Sequence, residues 1–375
     1  SIMSSSTMQI VAEDEFATVM AEYTDERRRA TSYQSEAQLE ESFIQQLVEL
    51  GYERKTLHTA EEMVNNLRVQ LENLNEVHLS DSEWDTLLRN TLARAQDGIE
   101  AKTALLQDGT TQQEIRRDDG STLNLLLIDK ANIHHNHLQV INQYEESGGR
   151  HQTRYDVTIL VNGLPLVHIE LKRRGVNIRE AFNQIDRYQE DSFWAGLGLY
   201  EYVQLFVISN GSSTKYYSNT TRFSHVENGI RRRVVSKRSS ASFEFTSYWT
   251  DARNHRMEDL TDFTATFFDK RVLLAVLTRY CVFDASDPRQ LLVMRPYQIA
   301  ATEAVLNRVL IAHNHKSYGK VEAGGYIWHT TGSGKTLTSF KTAQIASKLP
   351  YIDKVLFVVD RKDLDYQTMK EYDRF

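Results

Sequence analysis

The sequence is short of cysteine, with Cys281 the single one in 375 residues. No intramolecular disulfide can form, so a disulfide scaffold is excluded, and a reducing compartment is the expected setting. Proline is scarce too, at 4 residues, and glycine contributes 17. A collagen-like rod is therefore excluded. No apolar run approaches the roughly 20 residues that a membrane helix needs. The start, Ser1-Ile2-Met3-Ser4-Ser5-Ser6-Thr7-Met8, has neither the basic nor the apolar region of a secretion signal. Residues 1–20 read as disordered or tag-derived, and the protein as cytoplasmic, without a membrane partner. Nor is there an excess of positive charge, since 44 Lys plus Arg face 51 Asp plus Glu for a net −7. Nucleic acid, if bound, must be held by local basic patches or through a metal. Repeats and low-complexity tracts are also missing.

What remains is the composition of a soluble globular protein, 41% hydrophobic and 25% charged, long enough for two or three domains. From Ser35 to Leu50 the residues Leu39, Phe43, Ile44, Leu47 and Val48 fall at helical spacing, and Gly51 stops the run. Helix is expected again from Ala60 to Ala95, with a break and a new cap at Ser80-Asp81-Ser82. Strands are expected at Thr122–Asp129, Asn136–Tyr144, Arg154–Val161, Leu164–Lys172 and Tyr202–Ser209. A helix at Ile178–Tyr188 stands before the last of these. Asn162-Gly163 is a hairpin turn signal. Arg231-Arg232-Arg233 and Lys237-Arg238 read as a basic loop. Beyond Thr261 helix returns, followed by a strand at Gly324–Trp328, a helix at Lys335–Lys348 and a strand at Val355–Asp360. That order is a βαβ unit of a parallel sheet. The boundaries expected are 21–260 for the first domain and 261–375 for the start of a second.

The most specific motif is His329-Thr330-Thr331-Gly332-Ser333-Gly334-Lys335-Thr336, set between an expected strand and an expected helix. Glycines there let backbone N–H groups close around a phosphate, aided by the helix N-terminus. Thr331, Gly332, Ser333 and Gly334 would line the loop, Lys335 would reach the β- and γ-phosphates of ATP, and Thr336 would hold Mg²⁺. His329 stands where the general pattern has glycine. Upstream, Arg295-Pro296-Tyr297-Gln298 resembles the segment whose glutamine contacts adenine in superfamily 2 helicases and translocases. Downstream, Val358–Leu364 resembles their next motif. The sequence carries neither the later acidic Mg²⁺-binding pair nor a second motor domain. It reads as the front of a longer protein, one that by itself would not turn over ATP efficiently.

The second motif is Asp156 on one expected strand with Glu170-Leu171-Lys172 on the next. Phosphodiester hydrolysis needs metal ions beside the attacking and leaving oxygens, and two carboxylates on neighbouring strands can bind Mg²⁺. Lys172 shares the face of Glu170 and could stabilise hydroxide or developing charge. Register is the test. A plain two-residue turn pairs Asp156 with Ile169 and turns Glu170 to the other face, so a shared site requires a three-residue loop or a bulge. Charged residues on the solvent face of a hairpin are the bland alternative. Gln184 and Tyr188 form Gln-x-x-x-Tyr on the following helix, and Glu40 lies on the inward stripe of the first helix. Arg173 and Arg174 follow Lys172 directly, where they could meet DNA phosphates. His134, His135 and His137 read as structural, with no cysteine partner for a zinc site.

Taken together, these residues resemble the restriction (R) subunit of type I restriction-modification enzymes, over nearly the whole chain from Glu40 to Gln367. The resemblance implies a PD-(D/E)xK restriction-endonuclease-like α/β domain, followed by the start of a RecA-like P-loop domain of superfamily 2. Tyr155 stands before Asp156 where the motif's name has proline. It further implies ATP-driven translocation and Mg²⁺-dependent cutting of double-stranded DNA, with methyltransferase (modification) and specificity subunits as partners. Asp156, Glu170 and Lys172 would then be catalytic, and Glu40, Gln184 and Tyr188 would support them. The rival reading is a helicase whose N-terminal domain only binds DNA or a partner.

Overall fold

The computed structural model describes residues 8–9, 16–23, 35–108, 112–220, 223–227, 230–234, 243–284, 289–329 and 334–358. Helix α1 (Glu36–Glu49) begins in a capping box. The Ser35 hydroxyl accepts the Gln38 N–H at 3.2 Å, and the Gln38 side chain accepts the Ser35 N–H at 3.0 Å. Its buried stripe is Leu39, Phe43, Ile44 and Leu47. Helix α2 (Ala60–Asn75) and helix α3 (Asp81–Leu87) divide where the sequence places the break, because Ser80 and Glu83 form a second capping box. Helix α4 (Ile99–Gln107) follows.

Six strands make the central mixed sheet: β1 (Glu53–Arg54), β2 (Leu138–Glu146), β3 (Thr153–Val161), β4 (Leu164–Leu171), β5 (Leu205–Ser209) and β6 (Thr214–Ser218). Their spatial order is β6-β5-β4-β3-β2-β1. The β2–β3, β3–β4 and β5–β6 pairs are antiparallel, while β1–β2 and β4–β5 are parallel. Helix α5 (Arg179–Asp191) supplies the crossover between β4 and β5, as a parallel pair requires. Every residue of β4 and β5 is buried, as befits inner strands covered on both faces.

Helices α6 (Leu260–Phe267) and α7 (Lys270–Arg279) pack into the same hydrophobic core as α1. The Phe43 and Phe268 rings lie 5.6 Å apart, and the Tyr52 hydroxyl donates to the Phe268 carbonyl at 2.8 Å. Helix α8 (Pro296–Asn314) and helix α9 (Lys335–Ala346) pack against each other. The segment 16–23 reaches α8, where both oxygens of buried Glu303 accept from Thr18, at 2.7 and 2.9 Å. Among the described residues no helix is long and apolar enough to cross a membrane.

Four sequence expectations change. Ile230–Val234 is a strand paired with Phe223–Glu227, so the basic run Arg231-Arg232-Arg233 is extended backbone rather than loop. Lys237 and Arg238 lie outside the described residues. Gly324–Trp328 and residues 355–358 form no strand, since no neighbouring backbone pairs with them among the described residues. Thr122–Leu126 is a shorter strand than expected, paired with the unanticipated Gln112–Arg116.

Candidate active site

The β3–β4 hairpin decides whether Asp156 and Glu170 meet. Asn162 at φ +51° and Gly163 at φ +84° form the turn, both left-handed as the favoured two-residue hairpin turn demands. Next to it Val161 pairs with Leu164, and Leu160 with Pro165. The ladder then shifts, so that Ile159 pairs with Val167 and Leu166 is the extra residue on β4. The new register continues through Val157 with Ile169, and carried one residue further it brings Asp156 opposite Glu170. Turn and bulge therefore coexist, and the bulge supplies what the short turn would have denied.

Asp156 is half-buried, and its Oδ2 accepts the backbone N–H of Leu171 at 2.9 Å. Glu170 is buried; its Oε2 lies 3.0 Å from Nε2 of His168 and its Oε1 3.2 Å from the Tyr188 hydroxyl. The same hydroxyl accepts from the Gln184 amide at 2.9 Å and lies 3.1 Å from the Arg154 carbonyl. Gln184 and Tyr188 thus act as one relay from α5 into the sheet. Gln184 also accepts from Arg187. Burial, and then the charge of Glu170, keep the Tyr188 phenol well above its usual range, so it remains a donor.

Burial, and then the charge of Glu170, push the Asp156 carboxyl up from the ordinary carboxylate range. Burial likewise raises Glu170, with the positive charge of Lys172 opposing. Burial pushes His168 down to about 4, so its imidazole is neutral near pH 7. A buried and a half-buried carboxyl that repel each other gain from a nearby cation, which is the electrostatic condition a Mg²⁺ site meets. Among the described residues no three His, Cys, Asp or Glu side chains converge to hold a metal.

Glu40 is near enough for its charge to raise Asp156, but it is engaged elsewhere. The Asn142 amide donates to its Oε1 at 2.9 Å, and the Gln143 amide to its Oε1 and Oε2 at 3.2 and 3.0 Å. Gln143 stands opposite Asp156, between the pairs Asn142–Val157 and Tyr144–Tyr155, with φ at +54°. A left-handed non-glycine residue inside a strand costs on the order of 1 kcal/mol or more, and such strain gathers at functional sites.

Arg173 is exposed, with its N–H 3.3 Å from the Glu36 carboxylate, and Arg174 donates to the Ser212 hydroxyl at 2.7 Å. His135 meets Asp129 at 3.0 Å and His137 meets Glu53 at 3.1 Å, so the histidine cluster divides between separate partners. His168, Asn142 and Gln143 escaped the sequence reading. The one available signal was His168 two residues before Glu170, on the same side of a strand.

In the phosphate-loop region, Thr331, Gly332 and Ser333 lie outside the described residues, as do Val359–Leu364 of the next motif. Gly334, at φ +78°, is the N-cap of α9, followed by exposed Lys335 and half-buried Thr336. The Gln298 side chain is buried against this turn, and a Cβ on Gly334 would collide with its amide. Gln298 also accepts the Arg295 N–H at 2.9 Å, closing the first turn of α8. The structure thus brings Gln298 to the base of the loop, far in sequence from it but adjacent in space.

Comparison with known proteins bears on the chain's family. Residues 33–225 match the family described as type I restriction enzyme R protein N terminus, and residues 297–375 match SWI2/SNF2 ATPase. The chain is 46% identical over 300 residues to the type I restriction enzyme EcoprrI endonuclease subunit of Escherichia coli, covering 80% of this chain and 90% of that protein. It is 39% identical over 349 residues to the SauCOLORF180P endonuclease subunit of Staphylococcus aureus (strain COL), covering 92% of this chain and 34% of that protein. A putative type I enzyme subunit of Methanocaldococcus jannaschii, MjaIXP, is 26% identical over 252 residues, 64% of this chain and 23% of that one. The chain therefore spans about a third of the length of the staphylococcal relative. The first match spans just over half of the chain and the relatives carry the same family name, so the chain belongs to the type I restriction enzyme R protein family.

Proposed function

We propose that this chain carries the nuclease centre and the first motor elements of an ATP-dependent endonuclease and translocase subunit in a type I restriction-modification complex. The observation that supports it most is the β3–β4 bulge, which sets Asp156 against Glu170. The fold reading that goes with it is a PD-(D/E)xK core. Its division from the motor lies near residue 260, with α6 and α7 as shared packing.

In this reading Asp156 and Glu170 hold Mg²⁺, which when bound supplies positive charge to the phosphodiester oxygens. Lys172 follows Glu170 and offers an ammonium to the charge that develops on the attacked phosphate. Tyr188 donates to Glu170 and Gln184 to Tyr188, which keeps the pair oriented. Glu40 adds negative charge beside Asp156. Arg173 and Arg174, at the end of β4, meet DNA backbone phosphates. On the motor side Gln298, Thr331, Gly332, Ser333, Gly334, Lys335 and Thr336 bind ATP, with Thr336 toward its Mg²⁺. Double-stranded DNA is the substrate, and methyltransferase and specificity subunits are the partners.

The test uses the full-length subunit assembled with those partners on unmethylated circular DNA, reading cleavage and ATP hydrolysis together. Asp156→Ala is expected to lose cleavage while hydrolysis continues. Cleavage that persists in Asp156→Ala would transfer the chain to the rival reading, a motor with a DNA-binding N-terminal domain.

A further inference from the structure

β4 is buried along its whole length, and His168 and Glu170 are the two titratable side chains on it. They stand two residues apart and touch, with Nε2 of His168 3.0 Å from Oε2 of Glu170. Besides the Val157 backbone and the nearby Asp156, aromatic rings surround the imidazole. Tyr155, Tyr188, Phe193 and Phe206 meet it edge-on, with ring centroids 5.7, 5.9, 5.9 and 6.5 Å away. Leu or Phe would fill such a pocket without the cost of taking an imidazole out of water. Packing thus gives no reason for a polar ring here, whereas the contact with Glu170 does. In the ionised form that would take up a cation, the Glu170 carboxylate only accepts hydrogen bonds, so Nε2 is then the side that carries the hydrogen and donates. The other oxygen of Glu170 faces the Tyr188 hydroxyl at 3.2 Å. The carboxylate is held on both sides, once from its own strand and once from α5.

We infer that His168 is a positioning residue of the nuclease centre, its Nε2–H fixing the Glu170 carboxylate in the orientation that takes a divalent cation with Asp156. The inference rests on the nuclease reading above. Partners behind a ligating carboxylate act in this way generally, and their loss typically weakens metal binding or activity roughly 10–100-fold.

The experiment titrates Mn²⁺ into the 375-residue chain without DNA and reads free metal by electron paramagnetic resonance. It compares the unaltered protein with Asp156→Ala, His168→Leu and His168→Gln. Gln offers an amide N–H near the place of Nε2, while Leu keeps the bulk and has no donor. His168→Leu is expected to weaken Mn²⁺ binding by about tenfold or more, and His168→Gln to stay within about threefold of the unaltered protein. In the full-length enzyme, His168→Leu should raise the Mg²⁺ concentration for half-maximal cleavage by the same factor and leave ATP hydrolysis unchanged. Should His168→Leu not fold, His168→Asn takes its place, since that shorter amide overlays Nδ1 and is expected to lose the contact.

Mn²⁺ binding that survives His168→Leu but is lost in Asp156→Ala overturns the inference and leaves the nuclease reading standing. So does a folded His168→Gln that binds as weakly as Leu, because then the ring and not its N–H matters. If the unaltered chain takes up no Mn²⁺, or Asp156→Ala takes it up equally well, the metal site and the inference fall together.

Discussion

The strand region around Asp156 and the helix pair around Lys335 stand in opposite relation to their motifs. Asp156, Glu170 and Tyr188 are scattered over the sequence and form a loose pattern, yet strand pairing and α5 bring them into contact range. The phosphate-loop residues form one short and specific pattern. Around them, however, Gly324–Trp328 and residues 355–358 have no strand partners among the described residues, and Tyr326, Trp328, Leu356 and Val358 are nearly nine-tenths exposed or more. A contiguous motif advertises its chemistry through local backbone needs alone. A constellation made by strand pairing shows little in sequence, but its members meet once the sheet closes.

Four changes would break or sharpen that contrast, in order of expected size. Lys335→Ala in the full-length enzyme should reduce ATP hydrolysis by on the order of 10²–10³, the scale of removing one charge stabiliser, and stop cleavage with it. Sustained cleavage in that variant would uncouple the two regions and defeat the translocase reading. Lys172→Ala should cut cleavage on a similar scale, roughly 10²-fold or more, while hydrolysis continues. A Lys172→Ala enzyme that cuts at the normal rate removes the ammonium from the mechanism.

Gly163→Ala addresses the geometry that makes the first region. A Cβ there would lie 2.6 Å from the Leu67 Cα, and φ is +84°. The expected loss in urea unfolding is roughly 3 kcal/mol, from left-handed strain plus overpacking. An unchanged urea midpoint would show that the turn can relax away from α2.

The smallest effect concerns Glu303, whose carboxyl burial pushes up to about 7 against the donors Thr18 and Tyr280. Its folded value lies above the ordinary one, so the folded state holds the proton more tightly. That contribution is fully present below about pH 4.5, declines as pH rises and is lost above about pH 7, a change on the order of 3 kcal/mol. Glu303→Gln should flatten this part of the stability profile between pH 5 and 8, measured by thermal unfolding. An identical pH slope in both proteins would mean that the segment 16–23 does not bury Glu303 in solution.

Much of the first region was legible. Ser35 and Gln38 announce the start of α1, and Leu39, Phe43, Ile44 and Leu47 face inward as their spacing requires. Asn162-Gly163 turns as its composition demands. The bulge at Leu166 was not legible, because β4 is buried on both faces and offers no polar alternation to fix its register. His168 was hidden by the same apolar run. Gln143 gave no signal, since its left-handed backbone reflects the site opposite it rather than its own preference. Gly324–Trp328 shows the reverse error, a strand-like composition that lacks a neighbour.

The extra residue at Leu166 makes the meeting of Asp156 and Glu170 a matter of parity. An odd number of residues added to or removed from β4 between the turn and Glu170 would send that carboxylate to the far side of the sheet. An even number would return it to the same side but slide it along the strand by about 6.6 Å or a multiple of it. Length variation just past this hairpin therefore decides by its parity alone whether the two carboxylates share a face, whereas the same variation after Lys172 leaves the count unchanged.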